Sequence, residues 1–170
     1  GRIKKMKYEV NIPAGVSGDY KIVEGLDTIL QQNINGEWLT IMADSELEAH
    51  QAKEFLDAAT GDVLLAGLGI GMVLQPLIDN DNVTSITIVE KFQEVIDLVW
   101  THTPSSSKIT LVNDDIYTWT PDKNYDVAWF DSFINPIDGL DNLGEYKTQM
   151  QDKYENIVGS GFFWPSHQGW

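Results

Sequence analysis

Three glycines at alternate positions, Gly67, Gly69 and Gly71, close the apolar run in the stretch "VLLAGLGIGM". At a strand-to-helix turn, glycines adopt backbone angles closed to other residues and let a ligand approach the main chain. Glu90 follows 19 positions after Gly71, and a carboxylate at that distance can accept both hydroxyls of a ribose. Further acids stand in "VNDDIYTW" (Asp114 and Asp115) and in "WFDSF" (Asp131). Together these residues suit a nucleotide-like ligand. A phosphate-bearing dinucleotide would want its third glycine one place later, where Met72 stands, so the spacing favours a ligand without phosphates. In the competing reading the glycines serve only strand exit and helix packing, and the acids cap loop N–H groups.

These residues need elements to position them. The stretches "DVLLAG", "SITIVE", "KITLVND", "YDVAWFD" and "GFFWP" read as buried strands,. Between the second and third, "KFQEVIDLVW" sets Phe92, Val95, Ile96 and Val99 on one helical face; after the fourth, Leu143, Tyr146, Met150, Tyr154 and Ile157 do the same. Near-continuous apolar strands separated by helices predict an α/β chain, its mostly parallel sheet covered on both faces. Glu90, Asp114, Asp115 and Asp131 then fall at the ends of strands two, three and four, the edge at which open α/β sheets bind ligands. Upstream, "MKYEVNI" and "DYKIVEG" flank "PAGVSG", while "DTILQQ" and "EWLTIMA" flank "NING", an Asn-Gly hairpin signal,. Ser45 and Glu48 form a capping box opening a helix that carries Ala52, Phe55, Leu56 and Ala59 and closes at Gly61,.

The ordered set GLGIG, Glu90 ending "SITIVE", "NDD" and "YDVAWFD" resembles the class I S-adenosylmethionine-dependent methyltransferases, and within them the spermidine synthase-like branch. The resemblance implies a small N-terminal β appendage over residues 1–43 and a Rossmann-like S-adenosylmethionine-binding domain over residues 44–170. It implies that Gly67, Gly69 and Gly71 approach the methionine part of the cofactor and that Glu90 holds the ribose hydroxyls. Asp115 would accept the adenine amino group, Ile116 would pack on the adenine ring, and Asp131 would lie near the sulfonium and help deprotonate the acceptor. The branch's D-S-x-D-P signature is here "DSFINP", one residue longer, with Asn135 at the second acid. Methyl transfer to a small molecule is therefore the expectation; aminopropyl transfer and a non-catalytic cofactor-binding subunit are the alternatives. The family's last antiparallel pair has no counterpart among the strands read here, so either the fold is minimal or the edge is covered by the N-terminal strands or by another subunit, a homo-oligomer being one expectation.

Composition narrows the partners. With 11 basic against 26 acidic residues among 170, the net charge of −15 repels nucleic acid and draws in a cationic acceptor. The absence of cysteine excludes disulfides, thiolate-bound zinc and a cysteine nucleophile, and no metal is expected. No run reaches the roughly 18 apolar residues of a membrane span, which predicts a cytoplasmic protein with no membrane partner. His102 and His167 show no partner in the sequence, His50, four residues after Glu46, reads as a solvated helix residue with the cleft as the alternative, and Trp119, just past the proposed adenine loop, is the tryptophan placed to bear on the site.

Overall fold

The computed structural model describes residues 8–131, 143–165 and 167–170. Its larger sheet is built from β5 (Gly61–Ala66), β6 (Val83–Glu90), β7 (Ile109–Asn113), β8 (Tyr125–Phe130), β9 (Val158–Phe163) and β10 (His167–Gln168). Their order is β10-β9-β8-β5-β6-β7. The strands from β5 to β9 run parallel, and β10 pairs antiparallel with β9. Successive strand residues face opposite ways, so β5 feeds two cores. Val63 and Leu65 join one cluster, with Leu74 and Leu77 of α3 (Leu74–Asp79), Val95, Ile96 and Val99 of α4 (Gln93–Val99) and Phe55 of α2 (Lys53–Ala58). Leu64 and Ala66 join the other, with Tyr146, Met150 and Tyr154 of α5 (Leu143–Tyr154). This two-sided burial explains why the strands lack polar alternation.

A second, antiparallel sheet runs β1-β2-β3-β4, formed by Gly15–Ser17, Tyr20–Glu24, Thr28–Ile34 and Glu37–Ala43. The β3–β4 turn bears out the Asn-Gly signal: Asn35 and Gly36 have φ of 55° and 85°, the positive angles a two-residue hairpin loop requires, and Ile34 pairs with Glu37 across it. Tyr20, Ile22 and Leu30 carry this sheet into the first cluster of the larger one, where Ile12 from the preceding segment joins them. No helix among the described residues is long and apolar enough to cross a membrane.

Three features differ from the sequence reading, and one expected element is present. Residues 8–12 of "MKYEVNI" form no strand. The fully buried Asp44 carboxylate accepts Val10 N–H at 2.9 Å and Thr28 N–H at 2.6 Å, so a side chain replaces the strand ladder, and the first strand lies instead in "PAGVSG" at Gly15–Ser17. The helix opened by Ser45 splits at Ala52 into α1 (Glu46–Gln51) and α2, and Phe55 beyond the break stacks on Trp129 with centroids 5.3 Å apart. The helix expected after the glycine turn is present as the short α3, with Pro76 in its first turn, where the missing N–H costs nothing. The edge of β9 is not bare: β10 pairs with it, and the Trp170 indole donates to Val158 O at 2.8 Å. Its ring lies where a Cβ on Gly161 would sit, at 2.5 Å. The edge that supported the expectation of an oligomer is thus covered by the chain itself.

Candidate functional site

The C-terminal ends of β5, β6, β7 and β8 open on one cavity of about 250 Å³. Gly67, Gly69, Glu90, Asp115, Ile116 and Asp131 all line it. The opposite wall comes from the smaller sheet, through Tyr20, Leu30 and Met42. Sequence reasoning missed that wall, because nothing local in β2, β3 or β4 announces which distant turn they will face.

Gly67 and Gly69 hold φ of 105° and 53°, angles that L side chains rarely adopt. At Gly69 close approach adds a second requirement: a Cβ there would stand 2.6 Å from the Met42 sulfur. The smaller sheet therefore presses directly on the glycine turn. Gly71 is set apart. It shares the positive φ, at 74°, but its N–H donates to Leu68 O at 2.9 Å and a Cβ on it would meet Thr103 and Leu74. It shapes the turn into α3 and is not among the residues that line the cavity.

Glu90 fixes the same turn from the end of β6. Its Oε1 accepts Leu68 N–H at 2.9 Å and its Oε2 accepts Phe92 N–H at 3.1 Å. Burial raises its pKa above the ordinary glutamate value, and the N–H groups of Phe92, Leu68, Gly69 and Lys91 oppose that rise. Glu90 is thus held by the backbone of the turn while it lines the cavity.

The two adjacent acids after β7 separate by role. Asp114 is exposed, and its Oδ1 accepts Asp115 N–H at 2.7 Å, a local loop cap. Asp115 faces the cavity, with Oδ1 accepting Tyr117 N–H at 2.9 Å and Oδ2 lying 3.6 Å from the Lys91 ammonium. Ile116 is buried beside it. Trp119 is packed into the second core cluster and is not among the lining residues.

Asp131 directly follows β8, its N–H donating to Ala66 O at 3.2 Å. Its Oδ1 is buried with no hydrogen-bond partner among the described residues, an expensive condition for a polar atom unless something else completes it. Burial raises its pKa well above the ordinary aspartate range; the charges of Glu48 and Glu90 add to the rise, and a hydrogen bond from Trp129 opposes it. Glu48 is a residue the sequence identified only as half of a capping box. Ser45 does cap its N–H, at 3.2 Å, but its own Oε2 accepts Ala43 N–H at 2.9 Å. Burial, reinforced by Asp44 and Asp27 and opposed by the Ala43 N–H, pushes its pKa up to about 7. His50 lies away from this centre, in an open surface groove with Glu46, Lys53 and Asp57. The "SFINP" stretch falls within residues 132–142, outside the described residues.

No family model matches the chain, and no curated protein matches it in sequence. Solved structures do match its fold. The spermidine synthase from Thermotoga maritima superposes with a TM-score of 0.55 at 19% identity, over 89% of this chain and 54% of that one. A spermidine synthase in complex with the transition-state analogue AdoDATO gives 0.57 at 18% identity, over 91% and 58%. The N-methyltransferase NodS from Bradyrhizobium japonicum WM9 gives 0.51 at 15% identity, over 71% and 68%. The fold is the Rossmann-like α/β fold of class I methyltransferases and spermidine synthases. The chain spans little more than half the length of the two spermidine synthases, at 54% and 58%.

Proposed function

We propose that this chain is an S-adenosylmethionine-dependent methyltransferase acting on a small cationic molecule. One observation carries the reading: the glycine turn, Glu90, Asp115 with Ile116, and Asp131, scattered over 65 positions from 67 to 131 in the sequence, converge on a single cavity. The residues also fit the cofactor chemically. Glu90, Asp115 and Asp131 line the cavity, with Lys91 as the basic lining residue. An acidic chamber containing an orphaned carboxylate oxygen suits a cationic sulfonium and a cationic amine better than any phosphate.

In this reading Gly67 and Gly69 hold the amino-acid end, Glu90 accepts from the ribose hydroxyls, Asp115 accepts from the base amino group, and Ile116 packs on the base. When bound, the cofactor supplies an activated alkyl group for displacement by a nucleophile. Asp131 then has two tasks: to orient the acceptor amine by accepting its N–H at Oδ1, and to take up the proton that the amine loses. A carboxyl group whose pKa is raised by burial and by Glu48 and Glu90 is, in its ionised form, a stronger base than an ordinary aspartate, which suits it to accept the amine's proton. In the proposed division into a β appendage (1–43) and a cofactor domain (44–170), the appendage supplies one wall through Tyr20, Leu30 and Met42, and the domain supplies Glu90, Asp115 and Asp131.

A second reading, aminopropyl transfer, is favoured by the smaller sheet, since the two spermidine synthases align with 89% and 91% of the chain and NodS with 71%. Identifying the nucleoside product separates the two. Incubation with a panel of amines should release S-adenosylhomocysteine from S-adenosylmethionine. Release of methylthioadenosine from the decarboxylated cofactor would establish the aminopropyl reading instead. Binding of both cofactors without turnover on any amine would identify a non-catalytic subunit.

A further inference from the structure

The backbone after β7 makes one helical turn and stops: Thr118 N–H and Trp119 N–H both donate to Asp115 O, at 3.0 and 2.7 Å. A turn that does not continue leaves its later carbonyls without intrahelical donors. Here α5 supplies them. The Lys153 ammonium donates to Ile116 O at 3.2 Å, Tyr117 O at 2.9 Å and Trp119 O at 2.6 Å, which uses all three of its N–H groups. The neighbouring Tyr154 hydroxyl donates to Ile116 O at 2.5 Å. About two turns of helix away, the Tyr146 ring meets Tyr117 edge-on, with centroids 6.1 Å apart.

These bonds reach the cavity through one peptide. Tyr117 N–H holds Asp115 Oδ1 at 2.9 Å, and the carbonyls on either side of that residue's N–H, those of Ile116 and Tyr117, are the ones Lys153 holds. Fixing the carbonyls fixes the amide plane, and the amide in turn fixes the carboxylate. We propose that Lys153, with Tyr154 beside it, is a positioning residue that builds the nucleobase subsite by locking the 115–119 turn so that Asp115 presents its carboxylate to the base. The inference rests on the cofactor proposed above. It adds a specificity role for a residue on an element remote from the ligand and 38 positions beyond Asp115.

The test compares two probes by calorimetry: S-adenosylhomocysteine and its analogue whose purine lacks the 6-amino group. The wild-type chain should prefer the first by about tenfold or more, the worth of a hydrogen bond to a charged acceptor. In Lys153→Met, which keeps the chain length and removes the donors, that preference should fall to about threefold or less. Mere loss of stability would weaken both probes equally and leave the ratio alone. An unchanged ratio in a folded Lys153→Met overturns the inference while leaving the cofactor proposal standing; a wild-type chain that binds neither probe overturns both. If Lys153→Met does not fold, Tyr154→Phe, which removes a single bond to Ile116 O, should narrow the ratio in the same direction, and a ratio equal to wild type refutes the clamp.

Discussion

Replacing Glu48 by glutamine should stabilise the protein at alkaline pH and leave it unchanged in acid. The glutamine carbonyl can still accept the Ala43 N–H that Glu48 Oε2 accepts at 2.9 Å, so the change is chiefly one of charge. Glu48 is a group whose folded pKa lies above its unfolded value, at about 7 against 4.5. Its contribution is therefore fully present below about pH 4.5 and is lost as pH rises through about 7,. At about 1.36 kcal/mol per pH unit, the interval from 4.5 to about 7 corresponds to about 3.4 kcal/mol. Partial exposure and solvent screening reduce that to about 2–3 kcal/mol. Glu48→Gln removes the penalty, so its stability relative to wild type should be near zero at pH 4 and reach about +2 to +3 kcal/mol at pH 8. Urea unfolding across that range, followed by the fluorescence of the six tryptophans, gives the difference directly. A Glu48→Gln protein that is less stable than wild type at pH 8, or a difference that does not vary with pH, would show that Glu48 is not a buried, uncompensated carboxylate and would remove its charge from the account of Asp131.

Three further outcomes follow from the site. Gly69→Ala should destabilise the fold by about 1–3 kcal/mol, because φ is 53° and the new Cβ would meet the Met42 sulfur at 2.6 Å,; Met42→Ala in the same chain should recover only the steric part, as thermal unfolding would reveal. Glu90→Gln, which keeps an acceptor for Leu68 N–H, should weaken S-adenosylhomocysteine binding by about 1.5–3 kcal/mol, and equal calorimetric affinities would sink the ribose assignment. Asp131→Asn should retain most cofactor affinity yet lower turnover about 100-fold or more; full activity on the acceptor found would exclude Asp131 as the proton acceptor.

The parallel sheet was legible because burial on both faces leaves no polar alternation in "VLLA" or "SITIVE", and a carboxylate that ends such a run declares its own position. Glu90 and Asp131 were readable for that reason. What escaped the sequence depended on contacts between distant segments. Residues 8–12 have the composition of a strand, yet the Asp44 carboxylate takes up the N–H of Val10 that a ladder would have used. Alternate glycines look equivalent in "GLGIG", but the turn sends Gly67 and Gly69 to the cavity and Gly71 toward Thr103. Glu48 carries the local signature of a capping box, and only tertiary burial makes its carboxyl group unusual. Tyr154 falls on a helical period that announces core packing, and nothing in "DKY" points Lys153 to the carbonyls 34 to 37 positions upstream.

Because Met42, Tyr20 and Leu30 face Gly67, Gly69 and Glu90 across the cavity, a ligand filling it touches both sheets at once. Such a ligand binds only molecules in which the two sheets are docked, and mass action then adds its occupancy to the docking equilibrium. At a free concentration 100 times its dissociation constant the gain is about 2.7 kcal/mol, on the scale of a disulfide or a large core side chain. The small sheet, which shares its only described hydrophobic cluster with the larger one, would thus be held more firmly in the occupied protein than in the empty one, and protease resistance of the segment before Asp44 should rise with ligand concentration along the binding isotherm.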